Sequence, residues 1–199
     1  MFYKIISCFL FLLLRCTGRV RIQGKENIPA TGPAFIIANH VSAFDPIILF
    51  LITKRPIYFM AKKELFRIPV FSSVVKGMKA FPVEREKLDR AAIRNAIRIM
   101  EKGELLGVFP EGTRGDGKTL LPFKSGAAYI ASQVEAPVIP VAIIGSRFLL
   151  NPFKKAVKVI IGTEIRRNAS MRESRREALD NFLQCQEDAV QSLLENNVE

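Results

Sequence analysis

The sequence predicts a three-layer α/β domain, a single mostly parallel or mixed central sheet flanked by helices, and three observations carry that expectation. Short apolar runs alternate with stretches of helical period along most of the chain, the pattern of strands and their covering helices. At 199 residues the chain has the size of one domain with at most a small appendage. Its 49% hydrophobic and 25% charged residues, with only 12 Gly and 11 Pro, exclude disordered and fibrous classes.

The first element stands apart from that pattern. Met1 to Leu14 is nearly all apolar, and Arg15, Arg19, Arg21 and Lys25 follow before any acid. Fourteen helical residues rise only about 21 Å, short of a bilayer core of about 30 Å. Residues 1–25 therefore read as a membrane anchor embedded at the interface, its arginines facing lipid phosphate. A signal peptide is the competing reading, but no small-x-small cleavage site follows and Arg15 precedes Cys16. A buried core helix is the third.

Beyond it, residues 26–199 form the domain. The expected strands are Ala34–Ala38, Ile57–Ala61, Ala80–Val83, Leu105–Phe109, Val138–Ile144 and Val157–Ile161. Pro82 has no amide to donate, which assigns its strand to an edge or its own end. A helix follows from the spacing of Ala91, Ala92, Ile93, Ala96, Ile97 and Met100, and Gly103 stops it. A second amphipathic helix, 170–195, opens on a capping box at Ser170 and Glu173 and carries Leu179, Phe182, Leu183, Val190, Leu193 and Leu194 as its core stripe.

Composition narrows the chemistry. Thirty Lys and Arg against 19 Asp and Glu give +11, a surface that attracts phosphates, anionic lipid or acidic proteins. Nucleic acid is not the expected partner, since there is no Trp, only three Tyr and no zinc-finger or RNP-like pattern. Cys8, Cys16 and Cys185 are too few and too scattered for a disulfide framework, which fits a reducing compartment. With His40 the only histidine, a zinc site of two imidazoles is excluded within one subunit.

Two strand ends carry the candidate chemistry, where ligand sites of open α/β sheets lie. In Asn39-His40-Val41-Ser42-Ala43-Phe44-Asp45-Pro46, the histidine leaves a buried strand and an acid follows five residues later. Asp45 before Pro46 satisfies a helix start, side-chain cap and then proline. It equally suits a turn that folds back to hold one imidazole nitrogen and frees the other as a general base. Spacing alone leaves both readings open. In Phe109-Pro-Glu-Gly-Thr-Arg-Gly115, glycines permit close backbone approach and Arg114 offers a planar fork for phosphate, or the segment is an ordinary turn. Gly112 to Thr119 also satisfies the P-loop pattern, but Pro122 falls inside the helix that pattern must open, so nucleotide hydrolysis is disfavoured. No G-x-S-x-G elbow occurs. A catalytic His40 would then act directly on a substrate hydroxyl.

Together, Asn39-His40-x4-Asp45, Gly77 to Arg85, Phe109 to Arg114 and Val138-Ile-Pro-Val141 resemble the four ordered blocks of the glycerolipid acyltransferase family. Ala61-Lys62-Lys63-Glu64-Leu65 and Phe123-Lys124-Ser-Gly-Ala127 match as well, and the likeness spans roughly residues 20 to 165. The resemblance is to bacterial 1-acylglycerol-3-phosphate acyltransferases. It implies transfer of a fatty acyl group from acyl carrier protein or coenzyme A to the sn-2 hydroxyl of lysophosphatidic acid, giving phosphatidic acid for phospholipid synthesis. No metal and no cofactor beyond the thioester co-substrate are implied. The catalytic pair would be His40 as base and Asp45 as its orienting partner. Arg85, Glu111, Gly112, Thr113 and Arg114 would make the acceptor site, with Lys62 and Lys124 in support. Pro140 and its apolar neighbours would lie toward the acyl donor, and backbone amides would meet the tetrahedral oxyanion. The implied location is the cytoplasmic face of the cell membrane. Acylation of another lyso-lipid, such as an amino-acid lipid, is the nearest alternative. A P-loop NTPase and a non-enzymatic membrane-surface adaptor are the rivals of other classes.

Overall fold

The computed structural model describes residues 20–84, 89–149, 151, 153, 156–167 and 174–197. Seven strands among them form one sheet: β1 (Val20–Gln23), β2 (Ala34–Ala38), β3 (Ile57–Lys62), β4 (Ala80–Val83), β5 (Leu105–Val108), β6 (Val138–Ile144) and β7 (Val157–Ile161). Their order is β1-β7-β6-β2-β5-β3-β4. All neighbours are parallel except β6 and β7, so β1 and β7 run against the other five and the sheet is mixed.

β2 sits at the centre because nothing in it tolerates water. Ala34-Phe-Ile-Ile-Ala38 is buried throughout, and alternation sends Ala34, Ile36 and Ala38 to one face, Phe35 and Ile37 to the other. The first face packs on Ile48 and Leu49 of α1 (Asp45–Leu49), with Val157, Val159 and Ile161 of β7 in the same cluster. The second is covered by Ala96 and Met100 of α3 (Arg90–Glu101), Ala127, Ala128, Ile130 and Ala131 of α4 (Ser125–Ser132), and Phe182 and Val190 of α5 (Arg175–Glu195). The remaining helix, α2 (Pro69–Gly77), leads into β4. The layers are those the sequence predicts. β4 is an edge strand, the position Pro82 requires.

Helix ends follow local chemistry. Asp89 caps α3 by accepting from the amides of Ala91 (3.1 Å) and Ala92 (2.9 Å), and Gly103 at φ +79° lies just beyond its end. α5 starts later than expected: its capping box is Ser174 with Glu177, whereas Ser170 and Glu173 lie outside the described residues. Gly107 of β5 is glycine for space, since a Cβ there would sit 2.5 Å from the Phe59 ring.

The boundary drawn after residue 25 needs correction. Val20–Gln23, placed with the anchor by sequence, pairs in register with β7 from Val20↔Val157 to Gln23↔Ile160 and belongs to the domain. Residues 1–19, which hold the apolar segment, lie outside the described residues. Among the described residues, no helix is long and apolar enough to cross a membrane.

Candidate active site

β2 and β5 run side by side in parallel register, Ile37 opposite Val108, so both candidate segments leave the sheet at the same C-terminal end. There the backbone folds into a frame around His40. Asn39 locks the end of β2 to β6, its Nδ2 donating to the Ile143 carbonyl (2.9 Å) and its Oδ1 accepting from the Ile143 amide (2.7 Å). Glu111, 3% exposed, accepts from the His40 amide (2.6 Å) and the Leu121 amide (3.1 Å). The Gly115 amide in turn donates to the His40 carbonyl (2.8 Å). His40 is thus fixed at both its amide and its carbonyl by the loop after β5 before its side chain is considered.

The imidazole stacks on Phe109, with ring centroids 4.2 Å apart, and its Nδ1 lies 2.8 Å from Asp45 Oδ2. The same oxygen accepts from the amides of Val41 and Ser42, each at 2.7 Å. A carboxylate oxygen that already accepts twice calls for a third donor, so the ring proton belongs on Nδ1 and Nε2 is left with its lone pair. Asp45 Oδ1 is buried without a partner among the described residues.

This geometry decides between the two readings of Asp45. Asp45 is itself the first residue of α1, Pro46 is the second, and the residue before them, Phe44, makes no side-chain cap. The Asp45 carboxylate turns back toward residues 40–42 and caps nothing. Pro46 still serves the helix start, where an amide would have no intrahelical partner.

The other expected site residues are distributed around this centre. Thr113 and Arg114 line a cavity of about 540 Å³ together with the turn Val41–Ala43. Gly112 and Lys124 line a second, about 200 Å³, beside Phe109 and Pro110. Gly112 at φ +72° leaves room for the Lys124 side chain, which a Cβ would meet at 2.8 Å. Lys62 lies on the exposed end of β3 beside Glu64 (3.8 Å) and lines neither cavity. Arg85 lies outside the described residues. Gly112 to Thr119 is an irregular loop, and the next helix begins only at Ser125. The helix a P-loop must open does not follow. Sequence reasoning missed two supports, the Asn39 clamp and the Phe109 stack. A buried asparagine at the end of an apolar strand was the available signal for the first.

Burial raises the Glu111 carboxyl above its ordinary pKa, and its two amide donors only partly offset this. The folded state therefore holds this proton more tightly than the unfolded chain does. Its contribution to stability is complete below the unfolded value and is lost as pH rises through the folded one. Melting curves from about pH 4 to about pH 7 should show wild type losing stability relative to Glu111→Gln. The lost second acceptor gives the variant a constant offset, and two parallel curves would refute the assignment.

A parallel strand pair that carries a histidine with its carboxylate and an arginine-bearing loop at its C-terminal end suits an enzyme that moves a proton beside an anionic substrate. The family model described as Acyltransferase matches residues 19–144, and the chain belongs to that family. Among its relatives, the 1-acyl-sn-glycerol-3-phosphate acyltransferase of Bacillus subtilis (strain 168) is 38% identical over 162 residues, 80% of each chain. The Borreliella burgdorferi enzyme of the same name is 32% identical over 144 residues, 71% of this chain and 58% of that one. The crystal structure of the 1-acyl-sn-glycerophosphate (LPA) acyltransferase from Thermotoga maritima matches with a TM-score of 0.72 at 25% identity, covering 96% of this chain and 79% of that one.

Proposed function

We propose that this chain transfers a fatty acyl group from a thioester, carried by acyl carrier protein or coenzyme A, to the sn-2 hydroxyl of 1-acylglycerol-3-phosphate. The observation that carries this reading is the His40–Asp45 pair, with Nδ1 committed to Oδ2 and Nε2 free to take a proton. The hydroxyl proton passes to Nε2 as the oxygen attacks the thioester carbonyl. Collapse of the tetrahedral adduct breaks the carbon–sulfur bond, and the imidazolium returns the proton to the departing thiolate. No group of the protein is acylated. The amides of His40, Val41, Ser42 and Gly115 already donate within the frame, so the developing oxyanion is met by other donors.

Glu111 acts as the brace of the His40 main chain, and Arg114 reads the acceptor's phosphate. The apolar residues 1–14 and the basic residues after them hold the domain at the cytoplasmic face of the membrane, an anionic surface that suits a chain of charge +11.

Purified protein offered acyl-coenzyme A and acyl carrier protein thioesters, against a panel of lyso-lipids, tests the reaction by product mass. Phosphatidic acid is the expected product. Turnover only with an acceptor that lacks a phosphate monoester would refute the head-group assignment. Arg114→Lys keeps the charge but loses the bidentate fork. The KM for 1-acylglycerol-3-phosphate should rise about tenfold, with the KM for the thioester held within a factor of about two. Equal changes in both constants with a lower melting temperature would instead make Arg114 a loop brace.

A further inference from the structure

The cavity of about 540 Å³ that holds Arg114 has a second cationic wall. Arg147 also lines it, out of the 3-10 turn Ser146–Phe148 that follows β6. Gly145 at φ +81° turns the chain there, and Arg147 Nη1 donates to the Asp116 carbonyl at 2.7 Å. That bond ties the guanidinium to the loop after β5 while engaging only one of its five donors. The neighbouring Asp116 carboxylate accepts from the amides of Lys118 (2.9 Å) and Thr119 (3.4 Å). Among the described residues lining this cavity, none is acidic. Arg147 also lies beyond residues 19–144, the span that the family model matches.

We infer that Arg147 and Arg114 form a two-arginine site for a phosphate monoester, and that Arg147 is a specificity-determining residue for the phosphate of the acyl acceptor. The inference rests on the function proposed above and extends it to a named pair of ligands. Two guanidinium groups match the two negative charges of a monoester at neutral pH. Position selects the acceptor over the donor as the source of that phosphate. The remaining wall of the cavity, Val41–Ala43, is the turn that follows His40 directly. An acceptor that places its sn-2 oxygen at Nε2 carries its phosphate on the adjacent carbon, so the anion must be held close to the base. The phosphates of coenzyme A or of a carrier protein lie a whole pantetheine arm from the reacting carbonyl.

Arg147→Gln and Arg147→Lys in the full chain test this by steady-state kinetics. The acceptor is varied at saturating thioester and the thioester at saturating acceptor, with glycerol 3-phosphate as a competing anion. In Arg147→Gln the acceptor KM and the inhibition constant of glycerol 3-phosphate should both rise about tenfold. Arg147→Lys should recover part of this, and the thioester KM should stay within a factor of about two. A rise confined to the thioester KM would assign the arginine to the donor's phosphates and overturn the inference. Equal shifts in both constants with a lower melting temperature would reduce Arg147 to a brace for the Asp116 carbonyl and overturn it too. Wild type that acylates 1-acylglycerol-3-phosphate, paired with an Arg147→Gln variant of unchanged acceptor KM, refutes only this inference. Wild type that never acylates that acceptor refutes the proposed function along with it.

Discussion

His40→Ala lowers kcat/KM by about 10² to 10⁴ and leaves the fold standing, because general-base assistance of that size is what the residue supplies. No other imidazole can substitute, since His40 is the only histidine. The stability cost stays small because His40 is held mainly through its backbone, by Glu111 and by the Gly115 amide, and alanine keeps both bonds. What is lost is the ring's contact with Phe109 and one donor to Asp45. Product formation and a thermal melt on the same preparation check both halves. An active variant would remove His40 from the chemistry.

Asp45 produces two different phenotypes according to what replaces it. In Asp45→Asn the carboxamide oxygen takes the place of Oδ2 and still accepts from Val41, Ser42 and Nδ1–H, and the NH2 group falls where Oδ1 has no partner. The loop and the tautomer survive, and only the negative charge opposite the forming imidazolium disappears. A charge-assisted bond of about 1.5–3 kcal/mol corresponds to a rate loss of about 10- to 10²-fold in a protein that melts nearly as wild type does. Asp45→Ala also strands the Val41 and Ser42 amides, at about 1–3 kcal/mol for a buried unsatisfied donor. It should lose activity and show a clearly lower melting temperature. Equal melting temperatures for the two variants would contradict this account of the turn.

Strand positions were largely legible because strands buried on both faces are unbroken apolar runs, and β2, β6 and β7 occupy the expected residues, as does the half-buried edge strand β4. β1 was not legible: Val20 and Ile22 alternate with Arg21 and Gln23 in an edge strand with one neighbour, which reads as the basic flank of the apolar segment. α1, α2 and α4, of five, nine and eight residues, are too short for their period to stand out. At β5, Phe109 leaves the ladder after Val108 and its ring meets His40 instead. The His40–Asp45 pair was visible as a local spacing, although only the folded turn shows that Asp45 faces backward. The Asn39–Ile143 clamp joins residues 104 apart, and the brace from Glu111 to His40 joins residues 71 apart. Such partners are set by parallel register, which no local pattern encodes. Arg147 escaped notice for the same reason.

Gly107 shapes the reactive ring without coming near a substrate. The bare backbone there lets the Phe59 ring lie across β5, Phe59 stacks toward Phe109 with centroids 6.3 Å apart, and Phe109 backs the imidazole. The three rings lie nearly parallel, like a pile of plates, and Asp45 holds the top plate by its rim through Nδ1. A methyl group at residue 107 would push on the bottom plate and tilt the top one, so a lineage that changed this glycine would have to refit both phenylalanines before its histidine pointed true again.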